Sequence, residues 1–392
     1  MFLNILLFLV GFILLIKGGD WFVDGSCGIA KKFHIPEIII GATIVSIGTT
    51  LPEVMVSATS AVTGHGEMAY GNAIGSIICN TSLICAITLA FRPGVVNKKS
   101  LYLPLIFFVI AGLIYAFSAY VLGYFYRPVG IILLLGFVAY IIIQIILLKK
   151  NKEEEKDEEL KAIDLVNYLH TNNNSTYQNI EKDLGADLKD VKKISRYLFK
   201  KGILSINEGV VSIVKDFDES VKILNNPELV KKESIKKTIF DVVFLIIGAA
   251  CIALGAKLLV DNGSALAREF GVSETVISIT MVALGTSLPE FVTAITSLIK
   301  GHSNLSIGNI IGANLFNLLL VSGAAVTLSP FAVPADNFLF GINSSLILDI
   351  PLMFIVMSLL CIPPLIKGKV YRFQGIILLI IYVAFIVLQF VM

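Results

Sequence analysis

Residues Gly41–Asn80 read GATIVSIGTTLPEVMVSATSAVTGHGEMAYGNAIGSIICN, and Ser278–Asn317 read SITMVALGTSLPEFVTAITSLIKGHSNLSIGNIIGANLFN. A constant shift of 237 positions aligns the two without a gap, with 16 identities in 40 pairs. Few of the identities are core-filling residues. They include Gly48/Gly285, Thr49/Thr286, Pro52/Pro289, Glu53/Glu290, Gly71/Gly308, Asn72/Asn309, Gly75/Gly312 and Asn80/Asn317. Helix breakers, hydroxyls, an amide and an acid recur at matching places in two apolar halves, the sequence mark of a membrane protein built from repeats. The match extends upstream, where Gly11, Asp24, Ala30 and Phe33 correspond to Gly248, Asp261, Ala267 and Phe270.

The chain of 392 residues is 56% hydrophobic and 15% charged, whereas a soluble globular chain carries roughly 25% charged residues. The charge is also uneven. Residues 151–237 hold 16 Lys/Arg and 17 Asp/Glu, over half of the chain's 31 basic and 29 acidic residues. The remainder contains apolar runs long enough to cross a bilayer, which takes about 20 residues per helix. Ten spans are expected, near 2–24, 38–63, 68–91, 101–122, 128–148, 238–262, 275–299, 304–328, 339–363 and 371–391. Five spans per half is an odd number, so two similar halves in series must cross the membrane in opposite senses. The expected fold is therefore an all-α membrane protein. It consists of two inverted five-helix repeats, residues 1–148 and 238–392, interrupted by a cytoplasmic insert at 149–237.

Loop charge sets the orientation. With the N-terminus outside, the short inside loops carry Lys31, Lys32, Arg92, Lys98, Lys99, Lys300, Lys367, Lys369 and Arg372, and the outside loops only Arg127 and Arg268. Both termini are then outside and the insert is cytoplasmic, in a plasma-membrane protein. No basic segment precedes the first apolar run, which reads as a membrane helix and not as a cleaved signal. The five cysteines fall singly in apolar segments and read as small buried side chains, with no Cys/His metal spacing.

Within the insert, helices are expected over 160–170, 176–184 and 188–201. The last two end at Gly185 and Gly202, and a hairpin around Glu208-Gly209 follows. Three helices and a β-ribbon resemble a winged-helix domain, giving a small α+β insert whose third helix would be the recognition helix. Its charge is nearly balanced and lacks the basic excess of a nucleic-acid binder. Nucleic acid is not expected as a partner, and a regulatory contact with an unknown cytoplasmic partner is the better reading. The acidic run Glu153–Glu159 lacks the spaced ligands and turn glycine of a calcium-binding loop and reads as a solvated linker.

An ionisable side chain deep in a membrane helix costs roughly 2.5–3.5 kcal/mol. Glu53 and Glu290 lie mid-span with no Lys or Arg on the same helices, so a bound cation or a proton is the natural compensation. Pro52 and Pro289, with Gly48 and Gly285, should break each helix and free carbonyls around Ser46–Thr49 and Ala283–Thr286. Irregular backbone at that depth is tolerated where it lines a cavity. Carbonyls, hydroxyls and carboxylates are the hard oxygen ligands that Ca²⁺ and Na⁺ prefer. Thr49, Glu53 and Ser57 share a helix face, as do Thr286, Glu290 and Thr293. Asn72, Ser76 and Asn80 share another, with Asn309, Ala313 and Asn317 as counterparts. Gly71, Gly75, Gly308 and Gly312 permit close helix approach.

At these residues the chain resembles the sodium/calcium exchanger family, in the calcium/cation antiporter superfamily. Gly-Thr-Thr-Leu-Pro-Glu with Gly-Asn-Ala-Ile-Gly-Ser, and Gly-Thr-Ser-Leu-Pro-Glu with Gly-Asn-Ile-Ile-Gly-Ala-Asn, are similar to its two α-repeats. The resemblance covers all ten expected spans and ends at the insert. It implies eight helices packed as a core and the first and sixth as a mobile pair. It also implies Ca²⁺ held by Glu53, Glu290 and the Thr49 and Thr286 carbonyls. Flanking Na⁺ would use the Ser46 and Ala283 carbonyls, Thr49, Thr50, Thr286, Ser287 and Ser76, with Asn80 and Asn317 lining the centre. Asn317 and Ala313 stand where some prokaryotic members carry Asp and Ser, which leaves two formal charges in the pocket and one hydroxyl fewer.

The function so implied is a secondary antiporter that exchanges Na⁺ for Ca²⁺ by alternating access and extrudes Ca²⁺. The ions are transported substrates, no cofactor is expected, and the lipid bilayer is the other partner. Exchange of Ca²⁺ or another cation against protons through the same glutamates is the alternative. A membrane-tethered ion sensor acting through the insert is the third reading. Nothing indicates covalent catalysis or a nucleotide site, and an enzyme is not expected.

Overall fold

The structure is a computed structural model. It describes residues 2–33, 35–185, 187–200, 202–207, 210–215, 235–270, 283–335, 338–339 and 341–391. The chain divides into two compact units, Met1–Ile142 with Lys237–Met392, and Ile143–Lys236.

The first unit is helical. In chain order its helices are α1 (Phe2–Phe33), α2 (Glu37–Val62), α3 (Gly66–Phe91) and α4 (Lys98–Leu122). The long α5 (Arg127–Thr171) then carries the chain into the second unit. There follow α6 (Tyr177–Leu184) and α7 (Leu188–Lys200) of the second unit. The first unit resumes with α8 (Ile235–Glu269), the short α9 (Ala283–Thr286), α10 (Leu288–Ile299), α11 (Ser303–Leu328), α12 (Ser345–Lys367) and α13 (Arg372–Val391). Among the described residues nine helices are long and apolar enough to cross a membrane, and α10 is a shorter apolar helix. Part of the expected 275–299 span, residues 275–282, lies outside the described residues.

Glycine decides how α1 and α8 pack. A Cβ on Gly11 would meet the backbone of Gly255 and Leu259, and one on Gly18 would meet Cys251, Ile252 and Gly248. Gly25 lies against the backbone of Asp241 and Leu245. Contacts that climb α1 while descending α8 define an antiparallel pair, with the small residues permitting backbone contact. Gly11 and Gly18 match Gly248 and Gly255 at the 237-residue shift. The contact Gly11–Gly255 therefore becomes Gly18–Gly248 when the two halves are exchanged.

α2 and α11 pack equally closely. A Cβ on Gly41 would meet Asn309 N at 2.7 Å, and one on Gly312 would meet the Ala42 backbone at 2.6 Å. Gly308 abuts the carbonyl of Ile38. The corresponding surroundings of Gly71 and Gly75 would come from residues 275–283, most of which lie outside the described residues.

Among the described residues five helices contain π-helical turns: Gly41–Val45 in α2, Asn80–Cys85 in α3, Ser118–Leu122 in α4, Asn317–Ser322 in α11 and Ser345–Asp349 in α12. A π turn displaces backbone carbonyls from their usual partners and is frequent at functional sites. Ser46 Oγ donates to Gly41 O at 2.7 Å, and Ser322 Oγ donates to Asn317 O at 2.9 Å. Tyr140 Oη donates to Ala42 O at 3.0 Å.

Three expectations are corrected. α2 does not break at Gly48–Pro52: Ser46–Val62 is one helix with Pro52 inside it. Proline removes only its own hydrogen bond to Gly48 O, and the turns on either side hold. In the second half the break is real, because Ser287, at φ −91° and ψ 4°, separates α9 from α10. Residues 160–170 are not a separate helix but the end of the 45-residue α5, which also takes in the acidic run read as a linker. That run keeps helical spacing and contains neither Pro nor Gly.

The second unit contains β2 (Ser175–Thr176), β3 (Leu204–Asn207) and β4 (Val210–Ile213), in the antiparallel order β2-β4-β3. It follows β1 (Tyr124–Phe125), which pairs with β5 (Phe331–Ala332) in the first unit. Glu208-Gly209 lies outside the described residues. The second unit's core is Leu165, Val166, Leu169, Ile180, Leu198 and Ile203 with their neighbours. Thr176 caps α6 through Asn179 N, and Gly185 ends it at φ 62°.

Candidate cation-binding site

Glu53 and Glu290 are each 0% exposed. Glu53 sits one residue past Pro52 in the middle of α2, whereas Glu290 lies in the first turn of α10. Glu290 therefore lies at the positive end of its own helix dipole, whereas Glu53 is mid-helix in its own. The two carboxyl groups lie within interaction range of each other, and Thr49 and Thr50 lie within range of Glu290. None of the four carboxyl oxygens has a hydrogen bond of good geometry within the protein.

The groups around them are equally unsatisfied. Thr50 Oγ1, Ser287 Oγ, Thr293 Oγ1 and both side-chain polar atoms of Asn80 and Asn317 are buried without a hydrogen-bond partner. Buried polar atoms are nearly always paired, because an orphan costs about 1–3 kcal/mol. A cluster of orphan oxygens with two carboxylates is a ligand set for a hard cation.

The sequence-predicted residues separate into three groups. Glu53, Glu290, Thr50, Ser287, Asn80 and Asn317 are buried with the unpartnered atoms just named. Ser46 and Thr49 are buried but engaged: Ser46 Oγ donates to Asn309 O at 2.9 Å, and Thr49 Oγ1 donates to Asn309 Oδ1 at 3.3 Å. Ser76 is buried, and Thr286 is only partly buried, beside the cleft described below. Ala283 opens α9, and nothing is described of its side chain.

Asn80 and Asn317 each begin a six-residue π turn, Asn80–Cys85 and Asn317–Ser322, at matching positions of the two halves. The sequence signal was present as an Asn pair, but a π turn has no residue code of its own. Asn309 and Asn72 hold the motif helices. Asn72 Nδ2 donates to Ser57 Oγ at 2.8 Å and to Glu53 O at 3.2 Å. Its counterpart Asn309 accepts from Ser46 and Thr49 instead. Cys79 was read as plain filling, yet Ser287 and both glutamates lie within its range.

The motif glycines have a role the sequence did not show. A Cβ on Gly48 would meet Phe22 of α1 at 3.0 Å, and one on Gly285 would meet the side chain of Val260 of α8. Each motif glycine is thus a seat for a side chain of the α1/α8 pair. Beside these seats lies an open cleft of about 980 Å³, lined largely by apolar residues of α2 and α8 and reaching Thr286 and Pro289.

This is the architecture of a multi-pass membrane transport protein, with a polar centre enclosed by apolar helices. The family described as sodium/calcium exchanger protein matches residues 3–146 and 240–391, and the chain belongs to that family of membrane antiporters. It is 29% identical over 380 residues to a membrane protein of Methanocaldococcus jannaschii, covering 96% of this chain and 94% of that one. It is 28% identical over 389 residues to the putative antiporter CaxA of Alkalimonas amylolytica, covering 96% and 95%. It is 27% identical over 392 residues to the sodium/calcium exchanger MaX1 of Methanosarcina acetivorans, covering 99% and 98%. A solved structure of the sodium-calcium exchanger NCX_Mj superposes with a TM-score of 0.66 at 25% identity, covering 98% of this chain and 97% of that one.

Proposed function

We propose that the protein is a secondary antiporter that moves Ca²⁺ out of the cytoplasm against inward Na⁺, by alternating access. The observation that carries this reading is the buried, unpartnered oxygen set around Glu53 and Glu290. Ca²⁺ would sit between the two carboxylates with the Thr49 and Thr286 carbonyls. Na⁺ would occupy flanking positions drawn from the Ser46 and Ala283 carbonyls, Thr50, Ser287 and Ser76, with Asn80 and Asn317 lining the centre. The two ions compete for overlapping ligands. Without either, two carboxylates repel in a dry site, which disfavours passage of an empty carrier.

The inverted-repeat reading draws support from the exchange-symmetric glycine contacts of α1 and α8. In this reading α1 and α8 are the mobile pair, and their side chains seated on Gly48 and Gly285 ride over the motif helices. Ten spans, outside termini and a cytoplasmic insert over 149–237 complete the topology. The insert's helices and small sheet suit a winged-helix-like module that contacts a regulator.

Two substitutions favour a second reading, proton coupling. Ala313 lacks the hydroxyl that its counterpart Ser76 offers, and Asn317 carries no charge. The first takes a hydroxyl ligand from a Na⁺ position of the second half, and the second leaves the pocket with two formal charges. Uptake of Ca²⁺ into proteoliposomes separates the readings. A Na⁺ gradient should drive it at clamped voltage and pH, whereas a response to a pH gradient alone would overturn sodium coupling.

A further inference from the structure

Cys27, Glu37 and His302 come together outside the centre just described. One ligand atom from each lies within 4.8 Å of the others. They come from three places in the chain: the C-terminal part of α1, the first residue of α2, and the residue before α11. His302 Nδ1 and Glu37 Oε1 are 2.8 Å apart. Cys27 is 5% exposed, while the His302 and Glu37 side chains are about a quarter and a third exposed. The thiol is thus buried, while the other two side chains reach water.

The backbone around it is fixed. Ile35 N donates to Ala30 O at 2.9 Å, closing the corner between α1 and α2, and His302 N donates to Ser297 O at 2.8 Å. We propose that these three side chains form a Zn²⁺ site, distinct from the transported-ion centre. Thiolate, imidazole and carboxylate are a zinc donor set and a poor one for Ca²⁺ or Na⁺. A metal 2.0–2.3 Å from each ligand holds the ligand atoms roughly 3–4 Å apart. Closure from the observed spacing needs side-chain movement of about an ångström. Three protein ligands leave a fourth position for water.

The repeat isolates the residue that makes the site. At the 237-residue shift, His302 corresponds to His65 and Glu37 to Glu274, but Cys27 corresponds to Ser264. In sequence, both halves carry a Glu and a His at these positions, and only one half adds a soft donor. A Glu–His pair alone is an ordinary polar contact, and the cysteine turns it into a metal site. On binding, the thiol proton is released to solvent and the thiolate enters the coordination sphere.

A metal here would tie α1 to the start of α2 and to the α10–α11 turn. If α1 moves during exchange, as proposed above, Zn²⁺ arrests transport. This consequence rests on that reading, but the site does not.

The test uses the full-length protein in detergent with Zn²⁺ or Co²⁺ alone, and without Ca²⁺. One metal per chain should bind at this site, with a thiolate-to-cobalt absorption band and protection of Cys27 from alkylation. Cys27→Ser, which installs the residue of the other half, should fold normally and lose the band. Removing a ligand should weaken binding by about a hundred-fold or more, beyond the effect of losing a supporting contact. His302→Gln should weaken binding similarly. Equal metal affinity in wild type and Cys27→Ser, or a wild type without the thiolate band, overturns the site. In proteoliposomes, Zn²⁺ should slow ion flux in wild type and not in Cys27→Ser. Binding with no effect on flux leaves the site and overturns the clamp.

Discussion

Glu53 and Glu290 stand 237 residues apart at matching places in the two halves, fully buried and within reach of one another, and no protein hydrogen bond satisfies either carboxylate. A structural pair would be neutralised by a base or tied down by donors. This one sits beside Pro52 in α2 and in the first turn of α10, and its lone pairs are left unsatisfied by the protein, as the proposed cation site requires.

Glu290→Gln should therefore reduce Ca²⁺ uptake in vesicles to background. In ion-free detergent it should raise the thermal midpoint, because one of two costly buried charges is gone. Uptake at the wild-type rate would remove the pocket assignment.

Gly312→Ala probes the α2–α11 contact. Its methyl would press on the Ala42 backbone and the Ser46 hydroxyl. Overpacking of this kind costs about 1–3 kcal/mol, so the melting point in detergent should fall. Gly94→Ala, with open space around the added carbon, is the control and should melt as wild type.

Gly285→Ala tests the seat of Val260. The added methyl would press into the Val260 side chain, so that side chain must give way and exchange should fall. Lower exchange with retained Ca²⁺ binding would place the effect on α8 movement. Unchanged exchange would show that the seat does not matter.

Replacing residues 151–234 with a flexible linker tests the second unit. Its core is its own, and the ligands proposed for the transported ions all lie in the first unit. Vesicle uptake should persist with altered regulation. Complete loss in a well-folded deletion variant would make the insert part of the transport machinery.

Asn309→Ala removes the acceptor shared by Ser46 and Thr49. Ser46 Oγ keeps the carbonyls of Gly41 and Asn309, so the loss falls mainly on Thr49, and one hydrogen bond contributes about 0.5–1.5 kcal/mol. The apparent ion affinity should weaken by up to about ten-fold, since each 1.4 kcal/mol is a factor of ten. The measurement is half-saturation of Ca²⁺ uptake.

Asp20 and Asp24 show what a local sequence pattern leaves out. Near the end of an apolar run they look like interfacial groups. The structure pairs both with Lys300, at 3.3 Å and 2.8 Å, linking α1 to the end of α10. No local pattern connects positions some 280 residues apart.

The doubled motif was enough to fix the family and to single out Glu53 and Glu290, which the structure buries completely. Each is a polar residue in an apolar run, where any polar group is costly and therefore informative. Helix existence was legible for the same reason, because long apolar runs in lipid have few alternatives. The tertiary structure alone decided how the helices meet. A helix that is apolar all round gives no period to tell a lipid-facing side from a packed one, so the α1–α8 glycine contacts and the seats at Gly48 and Gly285 were invisible. It also decided that Pro52 leaves α2 continuous while Ser287 divides α9 from α10, since packing around a proline, and not the proline itself, sets whether the turns beside it hold. Cys27, Glu37 and His302 carry no spacing that signals a metal, and only the crossing of three segments brings a thiol to the Glu–His pair.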